Sequence, residues 1–398
     1  MENQVTKSNS QNVPTIRFPG FSEAWSKRTF FENIREILDF RGRTPKKLGL
    51  SWGGHIPSLS ALNVKMGYVD PSVDPHLGSE ELYKKWMNKG DLSQNDILFT
   101  MEAPLGNVAL VPDNKKYILS QRVVAFKTKS LVDNHFLYHL MTGNNFQSIV
   151  RDLATGTTAK GVNQKSLKKV SINLPAIDEQ QKIAAFLNSV DSWIDNLRSQ
   201  KSTFESYKKS IMKKLFSQEI RFKDENGQYY PEWDKTKLSS LVTITTGKKD
   251  VNAGNPNGEY RFYTCAKQYT FSDSYSFEGK AILIAGNAEV GLCQYFDGKF
   301  EAYQRTYVLQ NFKINAEYLF RYLSQYFRSY ALGLKQTGAM SFIKLGMLHD
   351  FQVPLPSISE QQKIADFLTS IDKSIESKEK EIVNAERWKN GLMQQMFI

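Results

Sequence analysis

The glycines and histidines whose spacing could support catalysis each lack a required neighbour. Gly286 and Gly291 have the glycine spacing of a phosphate-binding loop, but leucine and cysteine follow where that motif needs Lys and Ser or Thr. His135 and His139 are four residues apart on a predicted helix. Phe136 occupies the position at which a zinc protease with this spacing carries its glutamate. We therefore expect neither a nucleotide-phosphate loop nor a metal site.

The other candidate groups each lack a residue that their chemistry requires. Residues 255–258 (Asn-Pro-Asn-Gly) superficially resemble the Asn-Pro-Pro-aromatic loop of amino-methyltransferases, but the second proline and the aromatic ring are missing, so a turn is the better interpretation. Neither Cys265 nor Cys293 has a recognisable base partner in the sequence. We find no glycine-rich S-adenosylmethionine loop and no nuclease-like acidic cluster. The sequence therefore predicts a chain that catalyses nothing by itself and binds no cofactor of its own.

Polar and basic residues in loops indicate a different chemistry, the binding of DNA. Lys and Arg bind phosphates, while forked donors and amides reach base edges. The formal net charge of +11 also favours a polyanionic partner. In the first half of the chain, the candidates for DNA contact are Arg41, Arg43, Lys46, Lys47, Gln121, Arg122, Thr155, Thr157, Thr158, Lys160 and Gln164. In the second half they are Lys248, Lys249, Asn252, Gln304, Arg305, Gln336, Thr337 and Lys344.

One pair among these candidates has two interpretations. Gln121-Arg122 and Gln304-Arg305 occupy similar places, each before a predicted strand. Gln and Arg suit adenine and guanine edges. Equally, a pair that is repeated in both halves could be structural, because base-specific residues should differ between the halves. Each loop cluster also has the plainer interpretation of a solvated surface.

The elements that must position these loops are organised around a stretch that occurs twice. Residues 174–190 (LPAIDEQQKIAAFLNSV) and 355–371 (LPSISEQQKIADFLTSI) are identical at twelve of seventeen positions, at a constant offset of 181 residues. This period is too long for a solenoid and indicates two domain-sized halves.

Each copy begins a predicted helix of roughly 40 residues, with Asp178 and Ser359 as the expected N-caps. Apolar residues at a 3.5-residue period predict a coiled-coil seam in which the two copies pair. The seam residues are Ile183, Leu187, Val190, Ile194, Leu197, Ile364, Leu368, Ile371, Ile375 and Ile382. Lysines at 201, 208, 378 and 389 interrupt the seam, where they either snorkel outward or set an antiparallel register.

The predicted fold class is α+β, with two mixed α/β domains and two long helices. We expect a disordered tail at 1–14, a first domain at 15–176, a first long helix at 177–219, a second domain at 220–354 and a second long helix at 355–398. The Ile-Arg-Phe runs at 16–18 and 220–222 open the two halves, and the first is predicted to form a short strand and turn. Two cysteines and the lack of a long apolar run predict a cytoplasmic protein without a membrane segment.

The duplicated helix motif, with its alternation of variable domain and long helix, resembles the specificity subunits of type I restriction-modification enzymes. GRTPKK at 42–47 is similar to the opening of a target-recognition domain in that family, whereas TGKKDVN in the second half departs from the Gly-x-Thr-Pro pattern. The resemblance implies two pseudo-twofold-related target-recognition domains, held apart by antiparallel helices. Each domain would recognise one half of an asymmetric bipartite site in double-stranded DNA.

The resemblance also implies the partners. Two modification subunits would bind the helices and supply S-adenosylmethionine and adenine methylation, and restriction subunits would add translocation and cleavage driven by ATP and Mg²⁺. Two alternatives stay open from the sequence. One is the specificity subunit of a type IIB-like system, and the other is a coiled-coil scaffold that binds RNA or acidic partners.

Overall fold

A computed structural model describes residues 13–156, 159–334 and 342–398. The chain forms two compact units. The first unit contains residues up to 198 together with 380–398, and the second contains 199–379. The division shows that each unit includes parts of both predicted long helices.

Within its described residues the first unit contains nine strands, and most of them form a four-stranded and a three-stranded sheet. The strands are β1 (Ser26–Thr29), β2 (Ile34–Asp39), β3 (Ile56–Leu59), β4 (Leu77–Gly78), β5 (Ile97–Met101), β6 (Leu105–Leu110), β7 (Ile118–Leu119), β8 (Val123–Thr128) and β9 (Ser171–Leu174). The strand orders are β2-β8-β5-β6 and β4-β3-β7, and β1 pairs with β9. The helices are α1 (Glu80–Trp86), α2 (Asn134–Thr142), α3 (Asn144–Asp152), α4 (Gln164–Leu167) and α5 (Ile177–Phe216), which continues into the second unit.

The second unit is built around one six-stranded sheet, ordered β11-β16-β14-β15-β12-β13, and a separate β10–β17 pair. Its strands are β10 (Asp234–Lys237), β11 (Thr243–Thr246), β12 (Tyr260–Tyr263), β13 (Thr270–Ser272), β14 (Phe277–Ala285), β15 (Cys293–Ala302), β16 (Thr306–Gln310) and β17 (Gln352–Leu355). Its helices are α6 (Leu238–Leu241), α7 (Ala316–Gly333), α8 (Leu345–His349) and the start of α9 (Ile358–Met396).

The central strands of the large sheets have apolar segments that are buried on both faces. In β14, Ile282 and Ile284 pack with α7, whereas Ala281 and Leu283 face a smaller core on the other side. Alternate side chains of a strand point to opposite faces, so both faces require apolar residues. This accounts for the short apolar runs that predict these strands from the sequence.

The two long helices are confirmed, with 40 residues in α5 and 39 in α9. The predicted N-caps are wrong. The helices begin at Ile177 and Ile358, so Asp178 and Ser359 lie inside the first turn. In the second helix the hydroxyl of Ser357 instead accepts a hydrogen bond from the backbone N–H of Glu360, at 3.3 Å.

The prediction of a short strand at the first Ile-Arg-Phe run is also wrong, because the arginine of this run holds the segment against a long helix instead. The first strand begins only at Ser26. Arg17 donates hydrogen bonds of 2.7 and 2.8 Å to the buried carboxylate of Glu179, at the start of α5. Arg221 does the same to Glu360, at the start of α9. The glutamate of the repeated motif is therefore the anchor of each opening segment.

Equivalent backbone bonds join each opening segment to the end of a long helix. In the second unit, the N–H of Ile220 donates to the carbonyl of Lys214 in α5, which precedes it directly in the chain, at 3.2 Å. In the first unit, the N–H of Ile16 donates to the carbonyl of Gln395 in α9 at 3.0 Å. Gln395 is the repeat equivalent of Lys214, so one joint occurs in both units.

The predicted seam residues are buried, except for the half-buried Ile375, but they pack in two different ways. Val190, Ile194, Leu197 and Ile382 pack between the helices, together with Ala385. Ile183 and Leu187 lie in the core of the first domain, which also contains Met393 and Met396 of α9. Ile364, Leu368 and Ile371 lie in the core of the second domain, which also contains Met212 and Leu215 of α5. These parts of the stripe therefore share a core with both a domain and the opposite helix.

Three of the seam lysines bridge the helices. In the first unit Lys389 pairs with Asp191, and in the second unit Lys208 pairs with Asp372 and Lys201 with Glu379. In each unit, partners with higher numbers on α5 lie opposite lower numbers on α9, so the helices are antiparallel there. The lysines that interrupt the stripe therefore lie where they can set this register.

Candidate nucleic-acid interface

The predicted DNA-binding loops of the first unit leave one edge of the four-stranded sheet. The end of β2 lies beside the start of β8, with Asp39 opposite Val124. The start of β8 in turn lies beside the end of β5, with Val123 opposite Thr100. The loops that follow β2 and β5 and precede β8 consequently emerge together. We call this surface the first loop edge and define it by residues 41–47, 102–104, 121–122, 155–156 and 159–164.

Arg43, Gln121 and Arg122 line one concavity of about 370 Å³ on the first loop edge. The Arg43 guanidinium is held in place by the backbone carbonyls of Lys85 and Trp86 and by the side chain of Asn88. It lies 5.0 Å from the centroid of the Phe40 ring. Arg43 is therefore a fixed cation in the wall of the concavity, whereas the side chains of Gln121 and Arg122 are exposed at its rim.

Arg41 and Gln164 meet on the carboxylate of Asp39. Arg41 Nη2 lies 2.5 Å from Asp39 Oδ2, and the Gln164 amide donates to the same oxygen at 2.7 Å. Partial burial acts to raise the pKa of Asp39, but the hydrogen bonds and charge of Arg41 outweigh it and lower that pKa below its ordinary value. Asp39 thus stays ionised and orients two of the predicted residues.

The remaining first-unit candidates lie around this centre. Glu102 lies 3.9 Å from the Arg122 guanidinium, and its backbone forms a bridge to Gly161. Thr155 pairs with Gly161 across the same loop. Four of the candidates have exposed side chains: Lys46, Lys47, Thr155 and Lys160. Thr157 and Thr158 lie outside the described residues.

The second unit forms an equivalent edge. The end of β11 lies beside the start of β16, with Thr246 opposite Tyr307, and the end of β14 follows, with Ala285 opposite Thr306. This second loop edge comprises residues 247–252, 286–289, 304–305 and 342–344. Lys248, Asn252, Gln304, Arg305 and Lys344 have exposed side chains there. Gln336 and Thr337 lie outside the described residues.

Lys249 differs from its neighbours, because it faces into the fold. Its ammonium lies 3.2 Å from the carboxylate of Glu301, whose side chain is fully buried. The Ser276 hydroxyl donates to the same carboxylate at 2.8 Å. A buried carboxylate needs a paired charge and hydrogen bonds. Lys249 therefore supports the second loop edge from below, and the neighbouring Lys248 is the lysine that reaches solvent.

The repeated Gln-Arg pair has a structural role through its backbone. The N–H of Met101 donates to the carbonyl of Arg122 at 2.7 Å, and the N–H of Gly286 donates to the carbonyl of Arg305 at 2.9 Å. The backbone carbonyls at the strand ends are matched too, because Val162 donates to Met101 and Ile343 to Gly286. Any residue type could supply these backbone carbonyls, so the bonds show an equivalent backbone position but do not explain why Gln and Arg recur. The exposed side chains stay predicted DNA contacts.

The groups with possible catalytic chemistry are buried or isolated. His139 is fully buried and bonds to the side-chain oxygen of Asn188 at 2.8 Å. Burial raises the pKa of the Cys293 thiol to about 12, so the thiol is protonated at neutral pH. Across the described ranges, no group of three His, Cys, Asp or Glu side chains could hold a metal ion. In the same ranges, no helix has both the length and the apolar composition needed to cross a membrane.

Sequence reasoning missed the residues that orient the predicted ones. Asp39, Glu102 and Glu301 each lie close in space to a predicted residue that is distant in the sequence. Trp52 and Leu62 also line the first concavity, and Leu62 is 47% exposed. A usable signal existed for Asp39 alone, since it ends an apolar strand two residues before Arg41.

Comparisons with known proteins place these features in context. The family model described as the type I restriction modification DNA specificity domain matches residues 30–204 and 230–387. The type I restriction enzyme EcoDI specificity subunit of Escherichia coli is 36% identical over 154 residues, which are 38% of this chain and 34% of that protein. The MjaVIII specificity subunit of Methanocaldococcus jannaschii is 28% identical over 364 residues, which cover 80% of this chain and 84% of that protein.

Solved structures show the same fold. The S subunit of a type I restriction-modification system from M. genitalium superimposes with a TM-score of 0.60 at 18% sequence identity. The match covers 97% of this chain and 99% of that one. A chain from a second structure of a type I system matches with a TM-score of 0.56 at 16% identity, covering 94% of this chain and 97% of its own length.

Proposed function

The chain belongs to the type I restriction-modification DNA specificity family, and we propose that it recognises an asymmetric, bipartite DNA site, one half with each loop edge. The observation that supports this most directly is the pair of loop edges themselves. The same backbone bonds join the strand ends in both units, and both edges expose a Gln-Arg pair, while the other exposed side chains of the loops differ. A common frame that carries different loops suits two different target sequences.

Phosphate positioning and base recognition would be divided between these residues. Lys46, Lys47 and Lys160 in the first unit, and Lys248 and Lys344 in the second, are exposed cations suited to phosphates. Gln121 and Gln304 carry amides that can bond to adenine edges, and Arg122 and Arg305 can bond to guanine. Arg41, Arg43 and Lys249 have partners within the fold, so we assign them to holding the edges in shape.

We further propose that the paired helices set the distance between the half-sites and bind two methyltransferase subunits. Two half-sites on one face of B-DNA are about one helical turn apart, or ~34–36 Å. In this scheme the methyltransferase subunits bind S-adenosylmethionine and methylate adenine, while restriction subunits use ATP and Mg²⁺. The chain itself contributes recognition and geometry, and no catalytic group.

Methylome sequencing tests this proposal. Cells that carry the chain together with its methyltransferase should show adenine methylation at one asymmetric motif with two defined halves and a non-specific spacer. Cells with the methyltransferase alone are the control. The absence of any such motif would contradict the proposal and would favour a scaffold that binds RNA or acidic proteins.

Two matched variants assign the halves. Gln121→Ala should relax methylation specificity in one half-site only, and Gln304→Ala in the other only, because each removes one amide from one loop edge. Loss of a base contact typically costs about 1–3 kcal/mol of discrimination. Lys116→Ala is the control, since Lys116 pairs with Glu80 away from the loop edge and should leave both halves unchanged. If both glutamine variants altered the same half-site, the assignment of one half to each edge would be wrong.

A further inference from the structure

The concavity of the first loop edge has aromatic walls. Trp52, Trp86 and His76 all line it. The centroid of the Trp52 ring lies 5.7 Å from that of Trp86 and 5.2 Å from that of His76. The volume of about 370 Å³ falls in the range of roughly 300–1,000 Å³ that is usual for pockets that bind small molecules. Such walls are suited to a flat, conjugated group, because planar rings stack on aromatic side chains.

The concavity also carries polar groups that the fold itself does not use. Ser58 and Ser120 line it and are only 5% and 4% exposed. In the part of the chain that the structure describes, neither hydroxyl forms a hydrogen bond. Buried hydroxyls normally have a partner, so these two are available to a ligand. The exposed amide of Gln121 adds a donor and an acceptor at the rim, and the edges of nucleobases present the same two kinds of group.

An exposed leucine stands at the rim of the concavity on a firmly held turn. Leu62 lines the concavity and is 47% exposed. The buried side chain of Asn63 accepts hydrogen bonds from the N–H and the hydroxyl of Ser60, at 2.8 and 2.9 Å. The N–H of Ala61 donates to the carbonyl of Gln121 at 3.0 Å, which ties the turn to the loop edge. The turn therefore holds an apolar side chain in solvent beside the predicted DNA contacts.

The backbone around the concavity adopts conformations that L-residues rarely take. Asp74 and Arg122 both line it, with φ angles of +51° and +63°. Such conformations persist only where the surrounding structure enforces them, and they are concentrated at ligand-binding sites. The shape of the concavity is thus maintained by the fold around it.

We propose that this concavity takes one nucleobase of the first half-site, unstacked from the duplex, and that Leu62 enters the gap that the base leaves. The first half-site is the half that the first loop edge recognises, so the inference rests on the proposed function. The rings and hydroxyls fit the face and the edge of a base, and apolar side chains such as leucine are those that proteins insert between base steps. Contacts to base edges in an intact duplex need protruding side chains, and an enclosed concavity adds nothing to them.

Recognition of the first half-site then depends on how easily one base pair opens. Taking a base out of the duplex costs its pairing and stacking energy, and this cost is lowest for a mismatched base. A mismatch at the extruded position should therefore strengthen binding. A mismatch at a base pair that is recognised in the groove should weaken binding. The sign of the change in affinity separates the two modes of recognition.

The test measures this sign with the complex of the full-length chain and its methyltransferase. Duplexes that carry the methylated motif receive one mismatch at each position in turn, and dissociation constants are measured by fluorescence anisotropy. One position of the first half-site should bind about tenfold or more tightly when it is mismatched. This gain should vanish in Leu62→Ala and in Trp52→Ala. A gain at the methylated adenine, which the methyltransferase must itself take out of the duplex, should persist in both variants.

Leu131→Ala is the matched control for Leu62→Ala. Leu131 is 62% exposed and follows the end of β8, whereas the first loop edge lies at the start of that strand. Its carbonyl accepts a hydrogen bond from Gln180 on α5. The control should keep the full gain. Circular dichroism verifies folding, and Leu62→Ala, which changes an exposed side chain, decides the question even where Trp52→Ala does not fold.

Three results would overturn the inference. One is a scan in which no mismatch in the first half-site strengthens binding, and another is a gain that Leu62→Ala and Trp52→Ala both leave unchanged. The third comes from calorimetry with free nucleoside monophosphates. Tight binding that Trp52→Ala abolishes, without any gain on mismatched DNA, would assign the concavity to a free nucleotide. A normal bipartite motif without a gain contradicts only this inference, while the absence of any motif contradicts the proposed function itself.

Discussion

At the scale of single residues, each long helix carries an aspartate at the same position of the repeat, and the two units place different side chains beside it. Asp372 in the second unit is paired with both Lys208 and Arg321. In the first unit, the corresponding Asp191 pairs with Lys389, but the neighbouring side chain is the buried His139, with Nδ1 at 3.9 Å. The Nδ1 atom has no hydrogen-bond partner. The second unit therefore has the permanent cation of Arg321 beside its aspartate, whereas the first unit has the titratable imidazole of His139.

This histidine makes the stability of the first unit depend on pH. Burial, aided by the charge of Lys389 and opposed by the bond to Asn188, lowers the pKa of His139 to about 3. In the unfolded chain the pKa is about 6.5. Between these values the unfolded state binds the additional proton, so stability falls as the pH falls from 6.5 towards 3. We expect a loss of about 2 kcal/mol between pH 7 and pH 5.

Urea unfolding at both pH values measures this loss. His139→Gln is the matched variant, because its amide can still donate to Asn188 but does not titrate. The variant should lose about 2 kcal/mol less than wild type over the same pH interval. Equal losses in the two proteins would show that His139 is not the group responsible.

At the scale of elements, the inter-helix ion pairs fix how α5 and α9 align. In the first unit, reversing either Asp191→Lys or Lys389→Asp should cost about 1–2 kcal/mol, because two like charges would meet across partly buried positions. Making both changes together should restore most of the stability. The double-mutant cycle is measured by chemical denaturation.

The second unit provides the contrasting case. Asp372→Lys combined with Lys208→Asp should fail to restore stability, because the new lysine would face the guanidinium of Arg321. The neighbouring His139 in the first unit is neutral and imposes no such penalty. Full recovery in the second unit would show that Arg321 does not contribute to the charge balance.

The helices and most strands could be predicted because their periodic patterns are local. Ile183 and Ile364 also lie in domain cores, which periodicity does not reveal, because the period of a stripe does not show everything that covers it. The role of the lysines depends on aspartates from the other copy of the helix, which the sequence of one copy cannot show. The strand expected at the first opening segment does not form, and Arg17 instead bonds there to Glu179 of α5, a contact between distant residues that composition does not show.

The candidate site was predictable at the level of loops but not of individual side chains. The sequence groups the basic and polar residues into loops, and the structure shows that the described parts of these loops leave one sheet edge in each unit. It cannot show that Lys249 faces the buried Glu301 whereas Lys248 faces solvent, because strand register decides this. Nor can it show that Arg41 is held by Asp39, which requires the geometry of the turn.

At the scale of the whole molecule, the proposed function makes helix length a determinant of the DNA site. Inserting one heptad into each long helix, after Gln200 and after Lys380, keeps the 3.5-residue period and adds about 10 Å. The non-specific spacer should lengthen by about three base pairs, while both half-sites keep their sequences, because the loop edges are untouched. Methylome sequencing provides the measurement, and two alanine substitutions at the same exposed positions are the control. An unchanged spacer in a folded, active variant would contradict the role of the helices as a spacer.

The joint that Ile16 and Ile220 form in the two units has an evolutionary consequence. Gln395 accepts from Ile16 in the first unit as Lys214 accepts from Ile220 in the second, so the same joint is made by directly connected segments in the second unit and by the two distant ends of the sequence in the first. The order in which the two halves are encoded is therefore not dictated by the fold. On the proposed function, two copies of a half-length ancestral chain that made this joint with each other would recognise a palindrome. Fusion and divergence of the halves would then release the recognised sequence from that symmetry.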